Sequence, residues 1–354
     1  MKKFDEAVNK LANIKLNSSS KAEFEFFKAF LRGHYAEDLS QGNDNSDFVM
    51  IGKAFHRWVH DHGALLNLKD SQSYIDFIDR IDYFSKQYLH IYECINSGNT
   101  DDFFYLIVNN DYGFTLQPAL ILSAIAFNDS DEVVKEKIQV VSKYLTKVLS
   151  WRVWNQMIIS QSSMESTIYA LCKKIREKSL NEIKAILDTN PIELPGLNTV
   201  PNLNQQNKKK IRVLLALITE IVARESNETD YLLKKTDIEI EHIWSNHFDE
   251  HVDEFTDQGE FNTVRNNIGD LLLLPKSFNA SYNDETYSVK VEQYFSQNIL
   301  AQTLNEKKYA NDPGFLKFKD LSGLLFKPYK EFKRASIAER AELYKQILIW
   351  NWPK

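Results

Sequence analysis

Cysteine is nearly absent from this chain of 354 residues: there are two, Cys94 and Cys172, far apart and with no Cys-x-x-Cys pair. That argues against a structural zinc site and places the chain in a reducing, cytoplasmic setting. Glycine (11) and proline (8) are also scarce, while Phe (22) and Tyr (16) are plentiful. The balance excludes a turn-dense β protein and favours helices with aromatic packing. No apolar run approaches the roughly 18 residues of a membrane span. The N-terminal MKKFDEAVNKLANIKLN is amphipathic but lacks the apolar block of a signal peptide. Base is not in excess: 43 Lys and Arg stand against 49 Asp and Glu, for a net charge of -6. This counts mildly against a nucleic-acid binder, although local basic patches set the field at a groove.

What is present is helical periodicity. Ala22 to Leu31 puts its apolar residues on one face, and Gly33 can end that helix. Phe48 to Val59, Ser71 to Ile95, Gln117 to Phe127, Val133 to Leu149 and Glu165 to Leu187 continue the pattern. The aromatics scattered through 21–160 read as core. Residues 1–190 are therefore expected to form an all-helical domain. Residues 191–206, with Pro191, Pro195, Pro201 and Gly196, read as a linker or ordered loop. Lys208, Lys209 and Lys210 open the helix that follows. A lysine run there opposes the helix dipole, and reads either as a solvated start or as a phosphate-facing patch. The closing stretch, Ser336 to Trp352, predicts a helix with Arg340 on its polar face.

The chemistry concentrates in 238–290. Ile238-Glu239-Ile240 reads as a strand delivering Glu241-His242; the turn Ile268-Gly269-Asp270 leads into a second strand ending at Leu274; Asn279 and Asn283 stand at helical spacing, in a helix expected from about Asn283. Hydrolysis of a phosphodiester needs a base for water, and charge neutralisation on the phosphate and leaving oxygen, most simply by a divalent metal. A neutral histidine can be the base, and carboxylate and amide oxygens suit Mg2+ or Mn2+. His242 is the candidate base. Glu241, with Asn279 or Asn283, is the candidate metal set. Asp270 either orients the His242 ring or is a plain turn residue. Arg265 either reaches the scissile phosphate or pairs with a surface acid. Lys276 and Lys290 are candidate contacts to the DNA backbone. His247 and His251 read as part of a solvated, charged surface; His56, His60 and His62 read as surface or packing residues.

These parts resemble the HNH (ββα-metal) nuclease domain at the C-terminus of Gmr-type, modification-dependent type IV restriction enzymes and related phage-defence proteins. The resemblance rests on Glu241-His242, Ile268-Gly269-Asp270-Leu271, Asn279, Asn283 and Lys290. It extends at lower detail to FFKAFLRGHYAE, to FHRWV and to Ile337–Trp350. It implies a mainly α protein whose 207–354 region carries a ββα core at about 236–297. It also implies a metal-dependent DNA endonuclease acting on foreign or modified DNA. Three positions depart from the pattern. Glu241 replaces the more usual Asp, Asp270 replaces a central Asn, and Trp244-Ser245 stands where a proline is expected. The ParB-like nucleotidase domain that usually leads such proteins, with its Asp-Gly-Gln-Gln-Arg signature, has no counterpart here. No NTP site is therefore expected, and a nucleotidase or specificity subunit is an expected partner. The rival reading is a non-catalytic, partner-binding subunit with a degenerate nuclease domain.

Overall fold

A computed structural model describes residues 22–40, 42–228, 232–234 and 237–352, so the amphipathic N-terminal stretch lies outside the described residues. Contacts divide the chain into two compact units: Met1–Leu149 with Ile158–Leu194, and Ser150–Met157 with Pro195–Lys354. Both are mainly helical.

The first unit contains α1 (Ala22–His34), α2 (Asp47–Asp61), α3 (Ser71–Ser97), α4 (Thr100–Asp111), α5 (Gln117–Ala124), most of α6 (Asp131–Trp154), α7 (Gln161–Ile175) and α8 (Leu180–Asp188). Short polar side chains set the starts. Asp70, Ser160 and Ser179 each take the amide three residues on, in reciprocal capping boxes. Gly98, left-handed at φ 61°, closes α3. Aromatic rings fill the interior: Phe30 lies 5.7 Å from Phe26 and 5.3 Å from Phe84, and Phe26 lies 5.6 Å from Tyr88.

One helix prediction changes here, and one helix goes unpredicted. The stretch Glu165 to Leu187 is two helices, because Glu177 turns the chain at φ 50° and Ser179-x-x-Glu182 caps a new start. Helix α4 carries no apolar stripe: Phe103 to Val108 is an unbroken apolar run, which conceals its period. The His34 ring is buried, with Nδ1 3.0 Å from Glu177 Oε1 and Nε2 without a partner. Arg80 donates to the same Glu177 oxygen and to the Tyr35 hydroxyl.

The second unit is organised around α9 (Lys208–Glu225), buried on most of its circumference from Ile211 to Ala223. Beside it runs an antiparallel pair, β1 (Ile238–His242) and β2 (Leu271–Pro275), with His242 opposite Leu271 and Ile238 opposite Pro275. Leu271 to Leu274 are all buried, so β2 reads as a continuous apolar run rather than an alternation. The connection holds α10 (Gln258–Arg265) and a 3-10 turn, Ile268–Asp270. After β2 come α11 (Lys276–Tyr282), α12 (Tyr287–Tyr294), α13 (Ile299–Gln302), α14 (Pro313–Ser322) and α15 (Arg334–Asn351). The helix expected from about Asn283 is thus two, the first beginning directly after β2.

Gly269 is where the turn meets α15. A Cβ built there would lie 2.0 Å from the Ile337 carbonyl oxygen, so only glycine lets the two backbones approach. Arg340 does not line a polar face. It is buried and donates to the Tyr344 hydroxyl, which in turn donates to the Leu271 carbonyl at 3.1 Å. The end of α6 belongs to this unit: Trp154 Nε1 donates to the Thr199 carbonyl at 2.7 Å, and Trp151 packs edge-on to Trp352 at 5.8 Å.

Candidate nuclease site

Alternation along β1 sends Ile238, Ile240 and His242 to one face and Glu239 and Glu241 to the other. The acid and the histidine, adjacent in sequence, therefore enter different surroundings.

His242 meets the C-terminal end of α10. Its Nε2 lies 3.2 Å from Asn266 Oδ1. The Asn266 amide is not free to flip, because its Nδ2 donates to the Asn262 carbonyl at 2.9 Å. Since Oδ1 can only accept, Nε2 carries the proton and donates, leaving Nδ1 with its lone pair. Burial pushes the imidazole pKa down to about 3, and the charges of Arg265, Lys290 and Lys208 act in the same direction. The ring is neutral at pH 7. Asn266 was not singled out from the sequence; its only signal there is its place in Arg265-Asn266-Asn267, ahead of the glycine turn.

Asp270 does not orient His242. With His242 opposite Leu271, Asp270 stands one step further along the ladder, opposite Ile243, whose amide its carbonyl accepts at 2.8 Å. The carboxyl is fully buried. Oδ1 accepts the Trp244 amide at 3.1 Å and Oδ2 has no partner, so burial holds its pKa well above the usual carboxylate range. Asp270 fixes the chain after β1 at Trp244, whose indole donates to the Phe332 carbonyl at 2.8 Å. His251 packs against that indole at 4.2 Å and is buried, rather than lying on a solvated surface; His247 is exposed.

Glu241 is 1% exposed and its Oε1 accepts from Lys290 Nζ at 2.7 Å. The same ammonium donates to the His242 carbonyl at 3.0 Å. Lys290, read from the sequence as a contact to backbone phosphate, is 0% exposed: α12 carries the lysine inward, to Glu241. Burial raises the Glu241 pKa and the neighbouring ammonium opposes that rise.

Arg265 is partly buried, with Nε donating to the carbonyls of Trp244 and Ser245, both at 3.2 Å. These bonds tether one edge of the guanidinium close enough for its charge to act on His242. Asn279 turns Nδ2 toward the Ile240 carbonyl at 3.5 Å, while its Oδ1 is buried with no hydrogen-bond partner. Asn283, at the end of α11, is exposed and donates to Asp284. Lys276 opens α11 and is exposed. Glu241, His242, Asn266, Arg265 and Lys290 thus converge on the end of β1, and Asn279 flanks it; Asn283 and Lys276 lie at the exposed ends of α11.

Part of the expected linker belongs to the site. Ile268 N donates to the Pro201 carbonyl at 3.0 Å and Leu203 N to the Asn266 carbonyl at 2.7 Å, around a bridge between Asn202 and Asn267. The residue that orients His242 is therefore held from behind by Leu203, and the lysine run that opens α9 follows a few residues later.

Among the described residues no group of three His, Cys, Asp or Glu side chains could hold a metal ion. A hard cation could still use amide oxygen. The Oδ1 of Asn279 is buried and unpartnered, but the Glu241 carboxylate is taken by Lys290 at 2.7 Å, so as they stand these residues do not fit a divalent ion.

No helix among the described residues is long and apolar enough to cross a membrane. Comparison with curated proteins finds no match. Residues 197–346 match the family model described as GmrSD restriction endonucleases, C-terminal domain. The match takes in both strands, α10, the glycine turn and most of α15. It points to a restriction-endonuclease type of function, with DNA as the substrate that a nuclease family implies.

Proposed function

We propose that the second unit is a metal-dependent HNH-type DNA endonuclease, acting in the cytoplasm in restriction or anti-phage defence against foreign or modified DNA. The observation that carries this reading is the chain Asn262–Asn266–His242, which fixes a neutral imidazole with its Nδ1 lone pair available.

His242 Nδ1 takes a proton from water as the water oxygen attacks phosphorus, and the ester oxygen leaves. Asn266 holds the ring and stabilises the protonated imidazole through the Nε2 donor it already accepts. Arg265, tethered by Nε, offers the rest of its guanidinium to the charge on the phosphate. Exposed Lys276 contacts the DNA backbone without reading sequence. Glu241 with Asn279 or Asn283 is the metal set that the motif suggests, although Lys290 holds the Glu241 carboxylate. The ion, when bound, neutralises charge on the phosphate and leaving oxygen. Asp270 and Lys290 take structural parts instead of the catalytic and DNA-binding ones their sequence context suggested. Choice of substrate falls to a partner subunit with nucleotidase or specificity function.

Plasmid nicking with Mg2+ or Mn2+, on plain and modified DNA, tests the reading. Metal-dependent cutting by the wild type, lost in His242→Ala, is expected. A folded wild type that cuts neither substrate would favour the non-catalytic reading, to which the neutralised Glu241 lends support.

A further inference from the structure

Helix α9 opens without the features that stabilise a helix start. Asn207 gives it no side-chain cap, and its first turn holds no acid. It holds Lys208, Lys209 and Lys210 instead, whose charges oppose the helix dipole. The Asn207 side chain is turned back on the preceding loop: Nδ2 donates to the Asn202 carbonyl at 2.8 Å, and Oδ1 accepts the Asn204 amide at 2.8 Å. That loop is bonded to the backbone behind His242, through Leu203 N to the Asn266 carbonyl and through the bridge of Asn202 to Asn267. The start of α9 is therefore pinned to the residue that holds the imidazole. Lys208 is exposed, and among the described residues it has no hydrogen-bond or ion-pair partner. Its charge still reaches His242, where it adds to the depression of the imidazole pKa. The ammonium thus disfavours both the helix turn that carries it and the protonation of the ring beside it, and this chain gives it no counter-charge.

We infer that Lys208 is a phosphate-binding residue of the nuclease centre: its ammonium contacts the DNA strand at the phosphate next to His242. This inference rests on the DNA-cleaving reading given above. The contact needs no metal ion. With Lys290 matched by Glu241, neutralising the phosphate falls to other cations. Arg265 comes from the end of α10 and Lys208 from the start of α9, and the charges of both act on His242. A phosphate placed there pairs the ammonium, offsets the conflict with the α9 dipole, and shields the imidazole from like charge as it takes a proton from water. An ammonium is a compact point charge, which a phosphate oxygen can meet without a fixed fork geometry. Lys209, about 100° further round the helix, points away from that phosphate.

The test is binding of the full chain to a fluorescently labelled DNA duplex without divalent ions, over a series of salt concentrations, with single-turnover nicking in Mg2+ alongside. Each phosphate contact contributes about 0.9 to the slope of log K against log salt. Lys208→Met is expected to lose one such step and to slow nicking at saturating DNA by on the order of tenfold or more. Its melting temperature without DNA is expected to equal or exceed that of the wild type, because a charge opposed to the helix dipole is gone. Lys208→Arg is expected to keep the slope, and Lys209→Met to keep the nicking rate at saturating DNA. Where the wild type binds without nicking, the slope alone decides. A slope in Lys208→Met equal to that of the wild type, the same losses in Lys209→Met, or a lower melting temperature in Lys208→Met would overturn the inference and leave the DNA reading standing. A folded wild type that neither binds nor cuts DNA would overturn the DNA reading and the inference together.

Discussion

Asp270 Oδ1 accepts the Trp244 amide at 3.1 Å, and nothing hydrogen-bonds to its Oδ2. A carboxyl in that position is better kept neutral. Burial raises its pKa in the folded state, while the charges of Arg265 and Lys290 pull it down and Glu241 adds to the rise. A folded pKa above the unfolded one means that the contribution to stability is full below the unfolded value and lost as pH rises through the folded one. Asp270→Asn, which cannot ionise, is therefore expected to match the wild type in urea denaturation at about pH 3.5, below the unfolded Asp value of about 3.9, and to exceed it by about 1–3 kcal/mol at about pH 8.5. A difference that shrinks as pH rises would contradict the assignment.

Asn266→Ala removes the acceptor that holds His242 Nε2. Loss of a hydrogen-bond partner that orients a working imidazole typically costs about 10–100-fold in activity. Nicking under single-turnover conditions is expected to slow by that order, with DNA affinity little changed. A variant that cuts at the wild-type rate would show that the ring needs no such partner.

Gly269→Ala forces a methyl group against the Ile337 carbonyl of α15, where neither backbone can give way cheaply. Overpacking of this kind costs about 1–3 kcal/mol or more. Chemical denaturation should register that loss; an unchanged midpoint would mean the turn and α15 are less tightly joined than the 2.0 Å approach implies.

In the first unit, burial lowers the His34 pKa, and Glu177 is also depressed against its own burial by His34 and Arg80. Both signs agree. The unfolded chain takes up protons that the folded chain refuses, so stability falls as pH drops below the unfolded histidine value of about 6.5 and falls further through the carboxylate range. His34→Gln is expected to flatten the part of this dependence between about pH 7.5 and about pH 5.5. Melting curves of the two proteins at both pH values decide it, and parallel losses would remove His34 from the account.

Much of this molecule can be read from spacing alone. The stripe from Ala22 to Leu31, the strand Ile238-Glu239-Ile240 and the placing of Glu241-His242 follow from local periodicity, which depends on a few adjacent residues. The match over residues 197–346 agrees with the motif reading of the same region. What escaped depends on approach in three dimensions. Asn266 reaches His242 across 24 residues of chain because α10 ends beside β1, and no local pattern marks that meeting. Lys290 reads from the sequence as a contact to the DNA backbone because phosphate contacts need a cation but no exact geometry. Its partner, Glu241, lies 49 residues away in the chain. The orientation of Asp270 turns on a single step of ladder register, which the Asp-for-Asn exchange by itself does not disclose.

The bonds from Trp154 to Thr199 and from Leu203 to Asn266 also bear on where this protein can be divided. A fragment that opened with the lysine run at Lys208 would carry every candidate catalytic side chain, yet it would lack the strip of backbone behind Asn266. One that opened at Pro195 would keep that strip and still leave Trp352 without the ring of Trp151. The second unit is discontinuous in sequence, and the piece of chain that must stay with it lies inside a helix mostly assigned to the first. A single proteolytic cut that keeps the second unit whole would have to fall upstream of Ser150, within α6 itself, and the piece released would carry α7 and α8 with it.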